Sequence, residues 1–163
     1  MVADLCENYP SNPNELTDFN DSLAFIPFDC DEGGNTLYIT QGLNGTMNHL
    51  GGYHVRALMA TNDHLFFAST NEDYGEELST NAGGTAEGTY LLKNINEGSD
   101  PGGFAVAGDY LIFNTWHGKR TLFRLKIKDS SPVSQREIAP ASSLNELQKA
   151  CLVNANQAKD PSF

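Results

Sequence analysis

Positive charge is scarce at the front of this chain. Residues 1–92 hold fourteen carboxylates and a single cation, Arg56, whereas residues 93–163 hold nine cations and seven carboxylates. The net charge of −11 therefore arises in the front half. Such a field repels phosphate backbones and argues against nucleic acid as a partner. Long apolar runs are missing too: nothing approaches the roughly 18 consecutive apolar residues of a membrane-spanning helix, so no membrane span is expected. The opening Met1-Val2-Ala3-Asp4-Leu5 shows neither the basic nor the apolar region of a signal peptide. Large apolar residues are few, with Leu, Ile, Val and Phe totalling 37 of 163 against 31 Gly and Asn. A thin core with many turn formers excludes a helical bundle and suits short strands joined by tight turns. Cysteine is limited to Cys6, Cys30 and Cys151, odd in number and without a C-x-x-C pair. They specify neither a zinc site nor a disulfide framework. One pair could bond in an oxidising compartment, with Cys6–Cys30 the more local candidate, but the plain expectation is three independent small residues.

What the chain does have is self-similarity. Asp21-Ser22-Leu23-Ala24-Phe25, Asp63-His64-Leu65-Phe66-Phe67 and Asp109-Tyr110-Leu111-Ile112-Phe113 read alike, at spacings of 42 and 46 residues. A second landmark follows each in the same order: Thr36-Leu37-Tyr38-Ile39-Thr40, Glu77-Leu78-Ser79-Thr80 and Thr121-Leu122-Phe123-Arg124-Leu125. The pairs Asn20-Asp21, Asn62-Asp63 and Gly108-Asp109 precede the first landmark, and such pairs tolerate the positive φ of tight hairpin turns. Leu23 and Phe25, Leu65 and Phe67, and Leu111 and Phe113 alternate as strand residues do. Each unit then reads as a four-stranded antiparallel meander, the size of a propeller blade. The fold class expected is all-β, with about three propeller-like blades at about 13–50, 51–99 and 102–140, forming a repeat domain over 1–140.

The stretch Gly83-Gly84-Thr85-Ala86-Glu87-Gly88-Thr89 and the strand Tyr90-Leu91-Leu92-Lys93-Asn94-Ile95 that follows it resemble the ELWxxDGT-repeat (hyalin-like) family, found in large, mostly bacterial surface or secreted proteins. Glu77-Leu78 stand at the family's Glu-Leu, and Thr36-Leu37-Tyr38 match the same stretch with Tyr for its Trp. The likeness covers residues 1–127. It departs at the motif Trp, with Ser79 near that place in the middle unit, and at the Gly-Thr pair missing from the third. The resemblance implies a secreted or cell-surface location and a β-propeller-like module.

Three blades are fewer than the roughly four to eight of closed propellers, so an incomplete or open propeller is expected. On this reading Met1 is an internal residue of a longer repeat protein, or else the ends of an open stack are capped. Residues 141–163 supply a cap: Ser143-Leu144-Asn145-Glu146 is a capping box, and Leu144, Leu147, Cys151 and Ala155 share a helical face. These features predict a short helix near 144–157, after a last strand near 133–139.

Chemistry-bearing patterns are sparse. Asp29-Cys30-Asp31-Glu32-Gly33-Gly34-Asn35 spaces oxygen ligands like a calcium loop, making Asp29, Asp31 and Asn35 metal candidates and calcium the one cofactor to consider. It lacks the terminal bidentate Glu, with Thr40 at that place, and a polar hairpin tip is the alternative. Asn71-Glu72-Asp73-Tyr74-Gly75 is the matching loop of the next unit and reads as a structural turn. Arg124, Lys126 and Lys128 share one face of an extended strand, either as an anion or partner site or as a sheet edge kept soluble by charge. His49, His54, His64 and His117 fall in different segments and read as surface or turn residues. Phe66, Tyr110 and Trp116 are candidates to line a ligand surface. Asn20-Asp21-Ser22 and Asn44-Gly45-Thr46 fit the glycosylation sequon but read first as turns. No convergent catalytic set emerges, and no catalytic or cofactor-binding residue is named. The expected role is a non-catalytic surface scaffold for a protein or glycan partner, or for further repeat units of the same chain. The alternatives are a fragment of a propeller hydrolase and a calcium-dependent adhesion unit.

Overall fold

The computed structural model describes residues 5–7, 9–42, 47–95, 98–116, 118–127 and 138–140. The helix expected near 144–157, Cys151, His117, Lys128 and the Asn44 sequon lie outside these residues. Within them the chain is all-β and antiparallel, its one helical turn the 3-10 segment Ala86–Gly88. The chain divides into two compact units, residues 1–102 and 103–163.

The first sheet runs β1 (Asn14–Phe19), β2 (Ser22–Ile26), β5 (Leu37–Thr40) and β6 (Met47–Gly51) in that order. Between β2 and β5 the chain makes a small hairpin of β3 (Phe28–Asp29) and β4 (Gly34–Asn35). Pro27 interrupts the ladder there because it has no N–H to give, but its carbonyl still accepts from Thr36 N–H at 3.2 Å. The second sheet follows the same up-and-down path through β7 (Arg56–Ala60), β8 (His64–Asn71), β9 (Gly75–Ala82) and β10 (Thr89–Lys93). The third does so through β11 (Gly102–Ala107), β12 (Tyr110–Trp116), β13 (Arg120–Lys126) and β14 (Ile138–Pro140). Of the last strand expected near 133–139, the described part begins at Ile138.

The two landmarks sit on the second and third strands of each sheet, and they pair with one offset. Phe25 faces Tyr38, Phe67 faces Ser79 and Phe113 faces Phe123. Turn chemistry sets the register of β1 on β2 in the first sheet: Asn20 and Asp21 take φ of 52° and 59°, closing a two-residue hairpin between Phe19 and Ser22. Gly108 likewise takes φ of 60° ahead of β12. Asn62-Asp63 departs from the expectation, because neither residue enters the left-handed region. Thr61 closes that turn instead, its N–H donating to the His64 carbonyl at 2.8 Å and its Oγ1 accepting from His64 N–H at 3.3 Å.

In residues 1–102 the edge strand β7 of the second sheet lies against β1 and β2. Phe19, Ala24, Ile26, Leu37, Ile39 and Leu50 from the first sheet join Leu58, Leu65 and Phe67 from the second, with Val55 between them, in one buried cluster. Each large side chain removed from water there contributes about 1.5–3 kcal/mol. Phe66 is also fully buried, on the opposite face of β8, so it belongs to the core and not to a ligand surface.

Candidate functional site

Asp29 anchors the β3–β4 hairpin. Its Oδ1 accepts from the N–H groups of Asp31 (2.9 Å) and Glu32 (3.4 Å), and its Oδ2 from the Tyr38 hydroxyl at 2.5 Å. Burial alone would push this carboxyl up, but the Tyr38 and backbone hydrogen bonds, with the charge of His49, outweigh it and hold it below its ordinary 3.8. The same pair acts in reverse on the phenol: burial, then the bond to Asp29 and the charges of Asp29, Glu32 and Asp31, raise Tyr38 well above its ordinary 10.0. Tyr38 packs between Phe25 (6.1 Å between centroids) and His49 (5.0 Å). His49 is thus half-buried in the sheet rather than a free surface histidine.

Of the metal candidates, Asp29 is buried, Asp31 is exposed and Asn35 is half-buried on β4. A cation at Asp29 would compete with three protein donors already in place. Among the described residues no group of three or more His, Cys, Asp or Glu side chains is arranged to hold a metal ion. The matching loop in the second sheet uses the same device, Asn71 Oδ1 accepting from Asp73 N–H at 2.9 Å, with Gly75 at φ 73° closing the turn.

Cys30, at the tip of the first hairpin, is bonded to Cys6, with the two Cα atoms 5.4 Å apart. The two cysteines are therefore not independent small residues. The segment ahead of β1 runs beside β3, where Phe28 N–H donates to the Ser11 carbonyl at 2.6 Å, and this brings the thiols together.

Glu77 is fully buried on β9 and serves the segment after β10. Its carboxylate accepts from Ile95 N–H (3.1 Å), Ser99 N–H (3.2 Å) and the Ser99 hydroxyl (2.7 Å). Adjacent Glu76 faces the other way, as alternation requires, and with Asp100 it holds the guanidinium of Arg56 from β7. No local pattern points to this arrangement, because the partners of Glu77 lie 18 and 22 residues away. In the first sheet Thr36 precedes Leu37 as Glu77 precedes Leu78, and its buried Oγ1 has no hydrogen-bond partner among the described residues.

The basic strip is not a sheet edge. β13 lies between β12 and β14, with Arg124 opposite Ile112 and Ala139. Phe123 stacks on Phe113, Leu125 is fully buried, and Lys126 is exposed, so the expected two-faced alternation holds. The Arg124 guanidinium sits 5.3 Å from the centre of the Tyr110 ring, a cation–π contact that takes Tyr110 out of the free aromatic surface. Trp116 remains 51% exposed, and Tyr53 and Tyr74 are also exposed.

A groove of about 310 Å³ opens where the Asn20-Asp21 turn and the ends of β5 and β6 meet the Gly83-Gly84 turn of the second sheet. Phe19 and Ile39 form its floor, and polar side chains form its rim. Gly84 is required there: a Cβ would stand 3.2 Å from Ile39 Cδ1, and its φ is 70°. Buried Asn81 fixes this wall, accepting from Gly84 N–H at 3.0 Å and donating to the Thr85 carbonyl (2.6 Å) and Thr89 Oγ1 (2.7 Å). No protein-family model and no curated protein matches this chain.

Proposed function

We propose that this chain is a non-catalytic, β-propeller-like repeat module that serves as a surface scaffold and binds a protein or glycan partner. The observation that carries the reading is the use made of the buried carboxylates. Asp29 and Glu77 each accept three hydrogen bonds, and every one comes from a loop N–H or from a hydroxyl that ties a loop down. Carboxylates saturated in this way hold architecture and are poor general acids or bases, which want a pKa near the working pH. The equal pairing offset in three successive meanders supports the repeat reading, as does the resemblance to ELWxxDGT repeats. The Cys6–Cys30 bond supports a secreted or cell-surface location, because such bonds persist in oxidising compartments.

A glycan array and a panel of candidate protein ligands, probed with the purified chain at two salt concentrations, test the scaffold reading. Saturable binding without turnover is expected, and hydrolysis of any glycoside by the chain would overturn it. A calcium titration separates the adhesion alternative. On the scaffold reading the melting temperature stays unchanged; a bound ion would raise it, because a ligand of the native state stabilises that state.

A further inference from the structure

The groove beside Gly84 lies in a part of the molecule crowded with carboxylates. Residues 1–92 hold fourteen of them, yet among the described residues none that lines the groove is Asp, Glu, Lys or Arg, exposed Asp21 standing in the turn beside it. Its rim presents Asn20, Ser22, Gln41 and Asn48 over the apolar floor of Phe19 and Ile39. Side-chain amides and hydroxyls donate and accept at once, as the hydroxyls of a sugar do. An apolar floor suits the C–H face of a pyranose ring. Asn20, Gln41 and Asn48 are solvent-exposed, so their amides are open to a ligand.

We propose that this groove binds a neutral saccharide of one or two hexose units. The inference rests on the scaffold reading and names its ligand class. A volume of about 310 Å³ lies at the small end of ligand clefts, which run from about 300 to 1,000 Å³. Neutrality follows from the surrounding charge: an anionic sugar would meet the acidic field of the front half, with no Lys or Arg among the described lining residues to offset it. The walls are set in advance. The two-residue turn at Asn20-Asp21 is fixed by its pairing, Thr40 Oγ1 accepts from Gly42 N–H at 3.1 Å, and Asn81 holds the Gly83-Gly84 turn. Binding therefore orders little new structure.

The test is an NMR titration of the ¹⁵N-labelled chain with D-glucose, D-galactose, D-mannose, N-acetyl-D-glucosamine, lactose and cellobiose, with D-glucuronate as the anionic control. Saturable shifts are expected for at least one neutral sugar, centred on Ser22, Gln41, Asn48 and Gly84, with glucuronate weaker. Gln41→Ala and Asn48→Ala remove exposed groups, so the rest of the spectrum should hold. Each should weaken binding about three- to tenfold, the loss of one hydrogen bond. Saturation by none of the sugars, or equal binding of glucuronate, would overturn the proposal. Shifts centred instead on Tyr53, Tyr74 or Trp116, untouched by the two variants, would overturn the groove assignment while leaving a glycan-binding scaffold standing.

Discussion

Asp29 and Tyr38 make a pH-sensitive pair at the level of single side chains. The folded state holds Asp29 below 3.8, so its contribution is full above that value and is lost as pH falls through the lower, folded pKa. Tyr38 works at the other end: its folded pKa is raised, so its contribution is full below 10.0 and is lost as pH climbs past it. Melting temperatures followed from neutral pH into acid should therefore decline below about pH 4, and Asp29→Asn should flatten that decline. Tyr38→Phe should flatten the alkaline limb and shrink the acid limb as well, because the Tyr38 hydroxyl is the first of the hydrogen bonds that hold Asp29 down. Glu77 carries more, because three donors converge on it in a fully buried place. Glu77→Ala strands all three; the two on Ser99 are buried, and at about 1–3 kcal/mol for each unsatisfied buried donor the change should cost about 2 kcal/mol or more in urea unfolding. Glu77→Gln keeps one acceptor oxygen and should cost less.

Strands and turns obey simpler rules, and much of their placing was legible in advance. Alternation marked Leu23 and Phe25, Leu65 and Phe67, and Leu111 and Phe113 as the second strands, and they occupy β2, β8 and β12. Asn20-Asp21 was legible because both residues accept positive φ, and Asn20→Ala should cost about 1 kcal/mol by denaturant titration because alanine lacks that tolerance. Asn62-Asp63 was misread because Thr61, one residue earlier, supplies the closing hydrogen bonds and removes the need for a left-handed turn. Alternation placed Arg124 and Lys126 away from Phe123 and Leu125 on β13, and β14, which pairs beyond it, meets the last strand expected near 133–139 at Ile138. Arg124→Ala should consequently loosen packing over Tyr110 as well as remove charge. Near-ultraviolet circular dichroism of the tyrosine band would register the change.

Across the whole molecule, the features that escaped the sequence are those joining distant segments. Glu77 to Ser99, Arg56 to Asp100 and Cys6 to Cys30 span 22, 44 and 24 residues, beyond any local period. The groove was illegible for the same reason, since its walls come from two sheets and Asn20 had already been explained as a turn residue. Its apolar floor was visible only as core alternation at Phe19 and Ile39. The disulfide closes a loop of 24 residues. On the chain-entropy account a loop of that length contributes about 3 kcal/mol. Mild reduction should lower the thermal midpoint accordingly, and Cys6→Ser with Cys30→Ser should reproduce the reduced value without any reductant.

β1, β2 and β3 all lie within the ring that this bond closes. A protease that nicks the exposed Asn20-Asp21 tip would leave both pieces covalently joined. Electrophoresis without reductant would then show one band of full mass, and only a thiol would release the smaller piece.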